Sequence, residues 1–445
     1  MQNSISKMMQ SYTKEAYERG FFNGCILLAH KNDILFEAAL GIANMAKKTE
    51  LNLDSVFELA SVSKQFTASA IILLRDKGVL SLNDDLEKYF PGIPYKGRTI
   101  KNLLNHTAGI PDYMEWVNKQ AELTGTIPKN DVIEKFLIES NLPEEFAVGT
   151  KWSYSNTGYA ALALIIEKAS GMPFGTFLEK EIFQPANMNS TCVYHRRLNG
   201  DTIPNYAYGY IFENGEYILP DDSQSSQFVI PLDGIEGDGI VNSNLHDMLK
   251  WSLALKEGTI ISHASQQEMY TPTYVNGKSE PYGYGWRIFN NEKAGYGVRH
   301  AGGWPGYHTQ FIRYIDKEMT FVMLTNQTGG DTWGSRTFLE GIESIVEGRM
   351  PQPITTTDEL IDQDFDKSKY PALCGNFEGD ISVNLKDNSL FASFNNRERT
   401  MTLEILPAKD GRFITHIGIS FKFEGSMISL DYGSGFETLY KKLED

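Results

Sequence analysis

A serine and a lysine three residues apart form the segment of this chain best suited to chemistry. Ser61 and Lys64 stand at the start of an apolar run that predicts a helix over residues 61–77, and residues i and i+3 share one helix face. A lysine amine held there can take the serine proton, and the Ser61 backbone N–H at the helix start can face a developing oxyanion. The pattern predicts a serine nucleophile with a lysine base. The alternative is a helix-capping serine beside a solvated lysine.

A second segment, Tyr154-Ser155-Asn156, precedes an apolar helix predicted to begin near Thr157. In an extended segment, residues i and i+2 point to the same side, so Tyr154 and Asn156 can face one cleft. A phenol can relay protons, and a carboxamide can both donate to and accept from a substrate peptide bond. The alternative is that Asn156 caps the helix and Tyr154 packs in the core.

A third segment, His300-Ala301-Gly302-Gly303, comes just before a strand predicted over residues 309–315. Glycine lets a ligand approach the backbone closely, so Gly303 N–H can be a second oxyanion donor. A single histidine beside glycines is more often structural, and this alternative also stands. Taken in order, the three segments form the motif set of serine penicillin-recognising enzymes.

Longer stretches resemble the class C β-lactamase-related family, most closely the low-molecular-mass penicillin-binding proteins of the penicillin-binding protein E kind. The resemblance covers about residues 20–347, and the stretches that carry it are 57–68, 103–113, 154–159 and 237–239, with Ser243 and Asp247. It implies an α/β (α+β) sandwich, in which an antiparallel sheet is flanked by helices and joined by an all-helical subdomain. The active site is then expected between the sheet and the helical subdomain.

The resemblance also implies a role for six residues of the three motifs. These roles are the acylated nucleophile for Ser61, the base for Lys64, activation of the serine or of the deacylating water for Tyr154, contact with the substrate amide for Asn156, the third-motif cation for His300, and the oxyanion strand for Gly303.

The third motif departs from the family pattern, because the β-lactamases of this family have Lys-Thr-Gly where this chain has His300-Ala301-Gly302. Histidine ordinarily titrates near neutrality. The expectation is therefore a partial charge at pH 7 and a rate or binding step that weakens as the pH rises through the pKa of His300.

Other motifs are missing from the sequence. It contains no GxxxxGK[ST] or GxGxxG loop, no GxSxG nucleophile elbow and no HExxH pair, which disfavours nucleotide binding, an α/β-hydrolase and a catalytic metal. We expect no cofactor. His106, in Leu103-Leu104-Asn105-His106-Thr107, is predicted to be structural and to hold a loop that borders the cleft.

The composition is that of an ordinary globular chain. Its 445 residues include 41% hydrophobic and 22% charged residues, with a net charge of -16, which argues against nucleic acid or an anionic membrane as a partner. No signal peptide or membrane span is recognised, so a soluble, cytoplasmic chain is expected, with association with the cell envelope left open.

Periodicity predicts strands at both ends of the first 345 residues and helices between them. Strands 25–30 and 34–39 must then share a sheet with strands 284–289, 309–315 and 320–325, with helices packed on it. Three parts are predicted: a hydrolase domain over residues 1–348, a linker over 349–367, and a small all-β domain over 368–445 that resembles a lipocalin-like barrel.

The predicted function is a serine hydrolase that forms an acyl-enzyme at Ser61. The resemblance implies D-amino-acid peptides or β-lactams as its ligands, and the first choice is a D,D-carboxypeptidase or endopeptidase acting on peptidoglycan-type peptides. β-Lactamase activity and esterase or D-aminopeptidase activity are alternatives, and a non-catalytic penicillin-binding sensor is the alternative from another class. The oligomeric state is left open.

Overall fold

The computed structural model describes residues 2–200, 202–396, 399–431 and 438–443. The helices are α1 (Gln2–Glu18), α2 (Lys64–Asp76), α3 (Ile100–Leu104), α4 (Met114–Thr124), α5 (Asp131–Glu139), α6 (Asn156–Ser170), α7 (Phe174–Leu178), α8 (Arg196–Asn199), α9 (Leu245–Glu257), α10 (His263–Met269), α11 (Thr332–Val346), α12 (Thr357–Leu360) and α13 (Tyr370–Leu373).

The strands, in chain order, are β1 (Gly24–His30), β2 (Asp33–Leu40), β3 (Ile42–Asn44), β4 (Thr49–Glu50), β5 (Phe57–Glu58), β6 (Cys192–Val193), β7 (Tyr210–Glu213), β8 (Glu216–Ile218), β9 (Val241–Ser243), β10 (Thr273–Val275), β11 (Lys278–Glu280), β12 (Arg287–Asn291), β13 (Gly295–Trp304), β14 (Tyr307–Tyr314), β15 (Met319–Thr325), β16 (Gln327–Thr328), β17 (Gly375–Phe377), β18 (Ile381–Lys386), β19 (Ser389–Asn396), β20 (Arg399–Pro407), β21 (Phe413–Ile414), β22 (Ser420–Glu424), β23 (Met427–Asp431) and β24 (Thr438–Lys441).

Contacts divide the chain into two units. The first consists of the residues up to Gln10 with Phe22–Thr328, and the second of Ser11–Phe21 with the chain from Gly329 onward, so that α1 contributes to both. The three-part division predicted from composition stays a prediction.

The first unit is built on a six-stranded antiparallel sheet in the order β12-β13-β14-β15-β1-β2. Strands from the two ends of the unit meet at its centre, where Gly24 pairs with Thr325 and His30 with Met319. β1 is buried along almost its whole length, whereas β2 is partly exposed, as expected for a central strand beside an edge strand. The predicted fold class is confirmed.

Helices α2 and α6 form the centre of the helical part of this unit. The first eleven residues of α6, Asn156–Ile166, are all buried, because both flanks of the helix pack on other helices. Ser155 caps its start by accepting a hydrogen bond from Gly158 N–H, and Gly171 ends it in the left-handed conformation, the usual pair of start and stop residues.

The helix predicted over residues 61–77 is a 3-10 turn, Ala60–Ser63, followed by α2. The strand predicted over residues 284–289 begins only at Arg287, as β12. β13, which carries the third motif, was not predicted as a strand. Its sequence contains four glycines, which lower strand propensity, but pairing with β12 and β14 on its two sides overrides this preference.

The second unit contains an eight-stranded antiparallel sheet in which each strand from β17 to β24 pairs with the next. Ile381 and Val383 are buried and Asn384 is exposed, which is the alternation of a sheet with one inner face. The ends of the sheet meet, since Glu378 N–H donates to Lys441 O over 2.8 Å and Leu443 N–H donates to Asn376 O over 2.8 Å. The sheet is therefore a nearly closed barrel, as the sequence predicted.

No single helix of the described residues has both the length and the apolar character needed to cross a membrane. One pair, Asn156–Ser170 with Phe174–Phe183, meets these two criteria together but is bent by 74°.

Candidate active site

Ser61 lies in a 3-10 turn, Ala60–Ser63, that leads directly into α2. Tertiary contacts hold the residue before this turn: Leu59 N–H donates to Val241 O over 2.8 Å, and Thr309 Oγ1 donates to Leu59 O over 2.8 Å. Ala60 has φ +48°, a left-handed conformation that costs a non-glycine residue about 1 kcal/mol or more. The cap positions belong to Leu59 for the turn and to Ser63 for α2, so the helix-capping alternative for Ser61 is wrong.

Lys64 is fully buried, which contradicts the solvated alternative. Its Nζ donates to Ser61 Oγ over 3.2 Å, to Asn156 Oδ1 over 2.9 Å and to Asp238 O over 2.6 Å. These three acceptors match the three donors of an ammonium group. The amine therefore lies within proton-transfer distance of the serine oxygen and is fixed there by two further contacts.

Aromatic rings cover the remaining sides of the lysine amine. Nζ lies 5.0 Å from the ring centre of Tyr154 and 5.6 Å from that of Tyr159, both within cation–π range. No described carboxylate forms an ion pair with Lys64, and the Asp238 carboxylate instead accepts from Tyr113 OH over 2.9 Å. Neutral acceptors and ring faces thus replace an ion pair at this amine.

Tyr154, in the loop before α6, and Asn156, the first residue of α6, both reach the site, as the spacing predicted. Ser155, not Asn156, caps the helix, so the Asn156 carboxamide is available to bind Lys64. Among the described residues none accepts a hydrogen bond from Asn156 Nδ2. This leaves the amide N–H groups for a substrate carbonyl.

His106 fixes this loop. Its Nδ1 accepts from Ser155 N–H over 3.0 Å, and its backbone O accepts from Ser153 N–H over 3.0 Å. Its ring lies 4.5 Å from that of Tyr154. These contacts agree with the structural role predicted for His106.

His300 lies on β13, 3% exposed, with its ring centre 6.2 Å from that of Tyr154. Nδ1 donates to Ala301 O over 2.7 Å, so Nε2 accepts from Tyr282 OH over 2.9 Å. Burial, aided by the charge of Lys64, lowers the pKa of His300 to about 3. The expected partial charge at pH 7 is therefore wrong, because packing around the ring excludes the cation.

The backbone N–H of Gly303 lies on an open edge of β13. The two-residue turn 305–306 joins β13 to β14, and Trp304 pairs with Tyr307 across it, so alternation along an antiparallel ladder directs Gly303 N–H away from β14. β12 pairs with β13 only as far as Arg299, which leaves that edge open. A Cβ at Gly303 would have no described atom within 4 Å.

Gly302 permits the sheet edge to approach the serine turn. A Cβ at Gly302 would overlap Leu59 O and Thr309 Oγ1 and would lie 3.2 Å from Ala60 Cβ. Gly303 and Ser61 are each the next residue along from this contact, so their backbone N–H groups belong to neighbouring segments. Such a pair of donors can stabilise an oxyanion.

Three residues of the site were not predicted with roles. Asp238 supplies its backbone oxygen to Lys64, Tyr113 bonds the Asp238 carboxylate, and Tyr282 donates to His300. Asp238 and Tyr113 lie within the stretches that carried the family resemblance, which was the available indication. Burial raises the pKa of Asp238, although the Lys64 charge opposes this.

In the described ranges no group of three or more His, Cys, Asp or Glu side chains could hold a metal ion. A serine hydroxyl bonded to a buried lysine, on a helix that meets the edge of an antiparallel sheet, is the arrangement of serine hydrolases with the β-lactamase fold.

Comparison with known proteins gives the same class. A sequence profile of the beta-lactamase family matches residues 4–339, and the chain belongs to this family. It is 38% identical over 423 residues to penicillin-binding protein 4* of Bacillus subtilis (strain 168), covering 93% of this chain and 92% of that protein. It is 25% identical to a D-aminopeptidase of Brucella anthropi, over 69% of this chain and 56% of that protein.

A solved structure shows the same fold. The penicillin-binding protein from Bacillus halodurans superimposes with a TM-score of 0.63 and 26% identity, over 78% of this chain and 100% of that one. The chain is therefore a serine-type hydrolase of the β-lactamase superfamily, as predicted.

The neutral state of His300 has a direct spectroscopic consequence. Because its pKa is lowered to about 3, we expect the Nδ1–H tautomer to persist from about pH 5 to about pH 9. Long-range ¹H–¹⁵N correlation spectra should show one constant imidazole pattern, assigned by its loss in His300→Gln. A His300 resonance that moves with a midpoint near pH 6.5 would contradict the buried neutral ring.

Glu58, three residues before Ser61, should make stability depend on pH. It is 5% exposed, and burial raises its pKa from 4.5 to about 7, although nearby Arg197 lowers it. The folded state then holds the proton more tightly than the unfolded state, so its stabilisation is complete below about pH 4.5 and is lost as the pH rises to 7. The difference is about 3 kcal/mol.

Urea unfolding of the wild type and Glu58→Gln at about pH 5 and about pH 8 measures this contribution. Between about pH 5 and about pH 8, the free energy of unfolding should fall by about 3 kcal/mol more in the wild type than in Glu58→Gln. Subtracting the loss in Glu58→Gln from the loss in the wild type removes the contributions of other titrating groups, such as His195. Equal losses in the two proteins would contradict the raised pKa of Glu58.

Proposed function

We propose that this hydrolase is a penicillin-binding D,D-peptidase that cleaves peptidoglycan-type D-amino-acid peptides through an acyl-enzyme at Ser61. The observation that carries the proposal is the 3.2 Å hydrogen bond between Nζ of the fully buried Lys64 and Oγ of the half-buried Ser61. The similarity to penicillin-binding protein 4* over most of both chains supports the substrate class.

The acylation step follows from the positions of these groups. Ser61 Oγ attacks the substrate carbonyl while its proton passes to Lys64 Nζ, which acts as the base in its amine form, and the N–H groups of Ser61 and Gly303 bind the oxyanion. The C–N bond to the departing D-amino acid then breaks. That amine takes the proton from Lys64 through Tyr154, and Asn156 holds the amide of the acyl part.

Deacylation reverses the proton movements. Water attacks the Ser61 ester, its proton is taken through Tyr154 and Lys64, and the Ser61 oxygen regains a proton as the acid product leaves. The rate of this step separates a peptidase from a β-lactamase acting at the same site.

The test is the intact mass of the protein over time after mixing with benzylpenicillin, together with release of D-alanine from diacetyl-L-lysyl-D-alanyl-D-alanine. A persistent penicilloyl adduct with release of D-alanine is expected. Rapid formation of penicilloate without an adduct would assign a β-lactamase instead. An adduct with no peptide turnover would assign the non-catalytic sensor. If neither an adduct nor a product forms, the substrate class would be esters or D-aminoacyl amides instead.

A second candidate, hydrolysis of D-amino-acid amides or internal peptide bonds, is favoured by the neutral His300. A free C-terminal carboxylate would gain no charge–charge attraction from the neutral His300. The binding of an uncharged C-terminal amide does not depend on such an attraction. Rates for acetyl-D-alanyl-D-alanine and its C-terminal amide distinguish the two. Preference for the acid would contradict this candidate, and His300→Lys should shift the ratio toward the acid.

The proposal extends to location. Peptidoglycan peptides are envelope components, so we propose a soluble protein that reaches the cell envelope. Fractionation of cells followed by immunodetection tests this, and a protein confined to the cytosolic fraction would contradict it.

A further inference from the structure

A cavity of about 400 Å³ lies in the first unit, lined by α9, α10 and the neighbouring ends of β14 and β15. This volume falls within the range of small-molecule sites. Arg313 of β14 is on the same strand face as Thr309, whose hydroxyl bonds Leu59 beside the serine turn. Four residues of strand separate them by about 14 Å. The cavity is therefore separate from the active site.

The guanidinium of Arg313 is the unusual feature of this cavity. The residue is 8% exposed, its Nε donates to Ser252 Oγ over 3.1 Å, and its Nη1 donates to Tyr270 OH over 2.9 Å. Both acceptors are neutral, and no described carboxylate pairs with Arg313. Three of its five N–H donors are unused by the described residues. A buried, unpaired charge is costly to a fold unless something compensates it.

The charges that line the cavity are mostly positive. Lys31 and Lys256 line the cavity, and both pair with one carboxylate, that of Glu318, over 3.2 and 2.9 Å. Three cations therefore face a single anion. Apolar lining from Leu253, Ile315 and Met319 completes the wall.

We propose that this cavity is a second ligand site, which binds a small carboxylate attached to an apolar body. The planar guanidinium matches a carboxylate in a two-point hydrogen bond, and the apolar wall takes the remainder of the ligand. The site does not depend on the reaction at Ser61.

Calorimetric titration of the full chain with benzoate tests the proposal, with benzamide as the neutral probe of the same shape. We expect benzoate to bind with a dissociation constant of about 1 mM or below and benzamide at least tenfold more weakly. Inorganic phosphate, which cannot use the apolar wall, should also bind more weakly. Equal affinity for benzoate and either other probe would overturn the assignment.

Variants locate the binding. Arg313→Gln should weaken benzoate binding at least tenfold, whereas Ser61→Ala should leave it unchanged, which separates this site from the active site. Because Arg313→Gln removes a buried group, crystals of the wild type soaked in 4-iodobenzoate provide a second measurement. Iodine in the cavity with the carboxylate on Arg313 supports the site. Iodine found only near Ser61, or nowhere, would overturn it.

Discussion

Ser61→Ala is expected to abolish covalent labelling by benzylpenicillin and to lower turnover by on the order of 10⁴- to 10⁶-fold. The hydroxyl is the only group of this side chain that reaches Lys64, and alanine retains the 3-10 turn that Ser61 occupies. Lys64 keeps its contacts with Asn156 and Asp238. The loss should therefore come from chemistry and not from unfolding. Intact mass spectrometry and the melting temperature measure the two effects separately.

Ser63→Ala is a matched control in the same turn. Ser63 Oγ accepts from Val241 N–H over 3.1 Å, so its removal leaves a buried donor without a partner and costs about 1–3 kcal/mol of stability. We expect this variant to melt earlier and still to form the adduct. An adduct on Ser61→Ala, or its loss from a folded Ser63→Ala, would contradict Ser61 as the nucleophile.

The features that sequence predicted are those set by short spacing. Ser61 and Lys64 belong to one turn of backbone, and Tyr154 and Asn156 to one loop, so their relative positions follow from local geometry. The shared sheet was also predictable, because buried strands at both ends of the unit need the same core.

The features that sequence missed depend on packing between distant segments. The third acceptor of Lys64 is the backbone oxygen of Asp238, 174 residues away, and every residue type carries such an oxygen. The neutrality of His300 results from its burial and from the charge of Lys64, neither of which the His-Ala-Gly-Gly motif encodes. β13 was missed because its neighbours, and not its own glycine-rich sequence, make it a strand.

Asn156 shows how helix-capping preferences alone can indicate the wrong residue as the cap. Asparagine and serine are both strong helix caps, and Ser155 and Asn156 stand side by side at the start of α6. The structure assigns the cap to Ser155, which frees the Asn156 carboxamide for Lys64. The contact between Lys64 and Asn156 spans 92 residues, so it forms only in the folded chain.

Lys64→Met is the second variant with a large expected effect, a loss of about 10²- to 10⁴-fold in the rate of acylation. Methionine has nearly the shape of lysine but cannot accept the Ser61 proton. Because Lys64 is buried without an ion pair, an apolar replacement does not leave a charge unpaired, although Asn156 Oδ1 and Asp238 O each lose a donor. Stopped-flow acylation and thermal melting measure the two effects. A folded Lys64→Met variant that acylates at the wild-type rate would contradict the base assignment.

Lys168→Met controls for loss of one positive charge, since Lys168 Nζ bonds Tyr89 O and Glu134 away from the site. It should acylate at the wild-type rate.

The double variant Ser61→Ala/Lys64→Met gives the sharpest result. If the lysine acts only through the serine, adding Lys64→Met to Ser61→Ala should cost no further activity, so the two losses should not add. Additive losses would mean that Lys64 contributes independently, by binding substrate and not by moving the Ser61 proton.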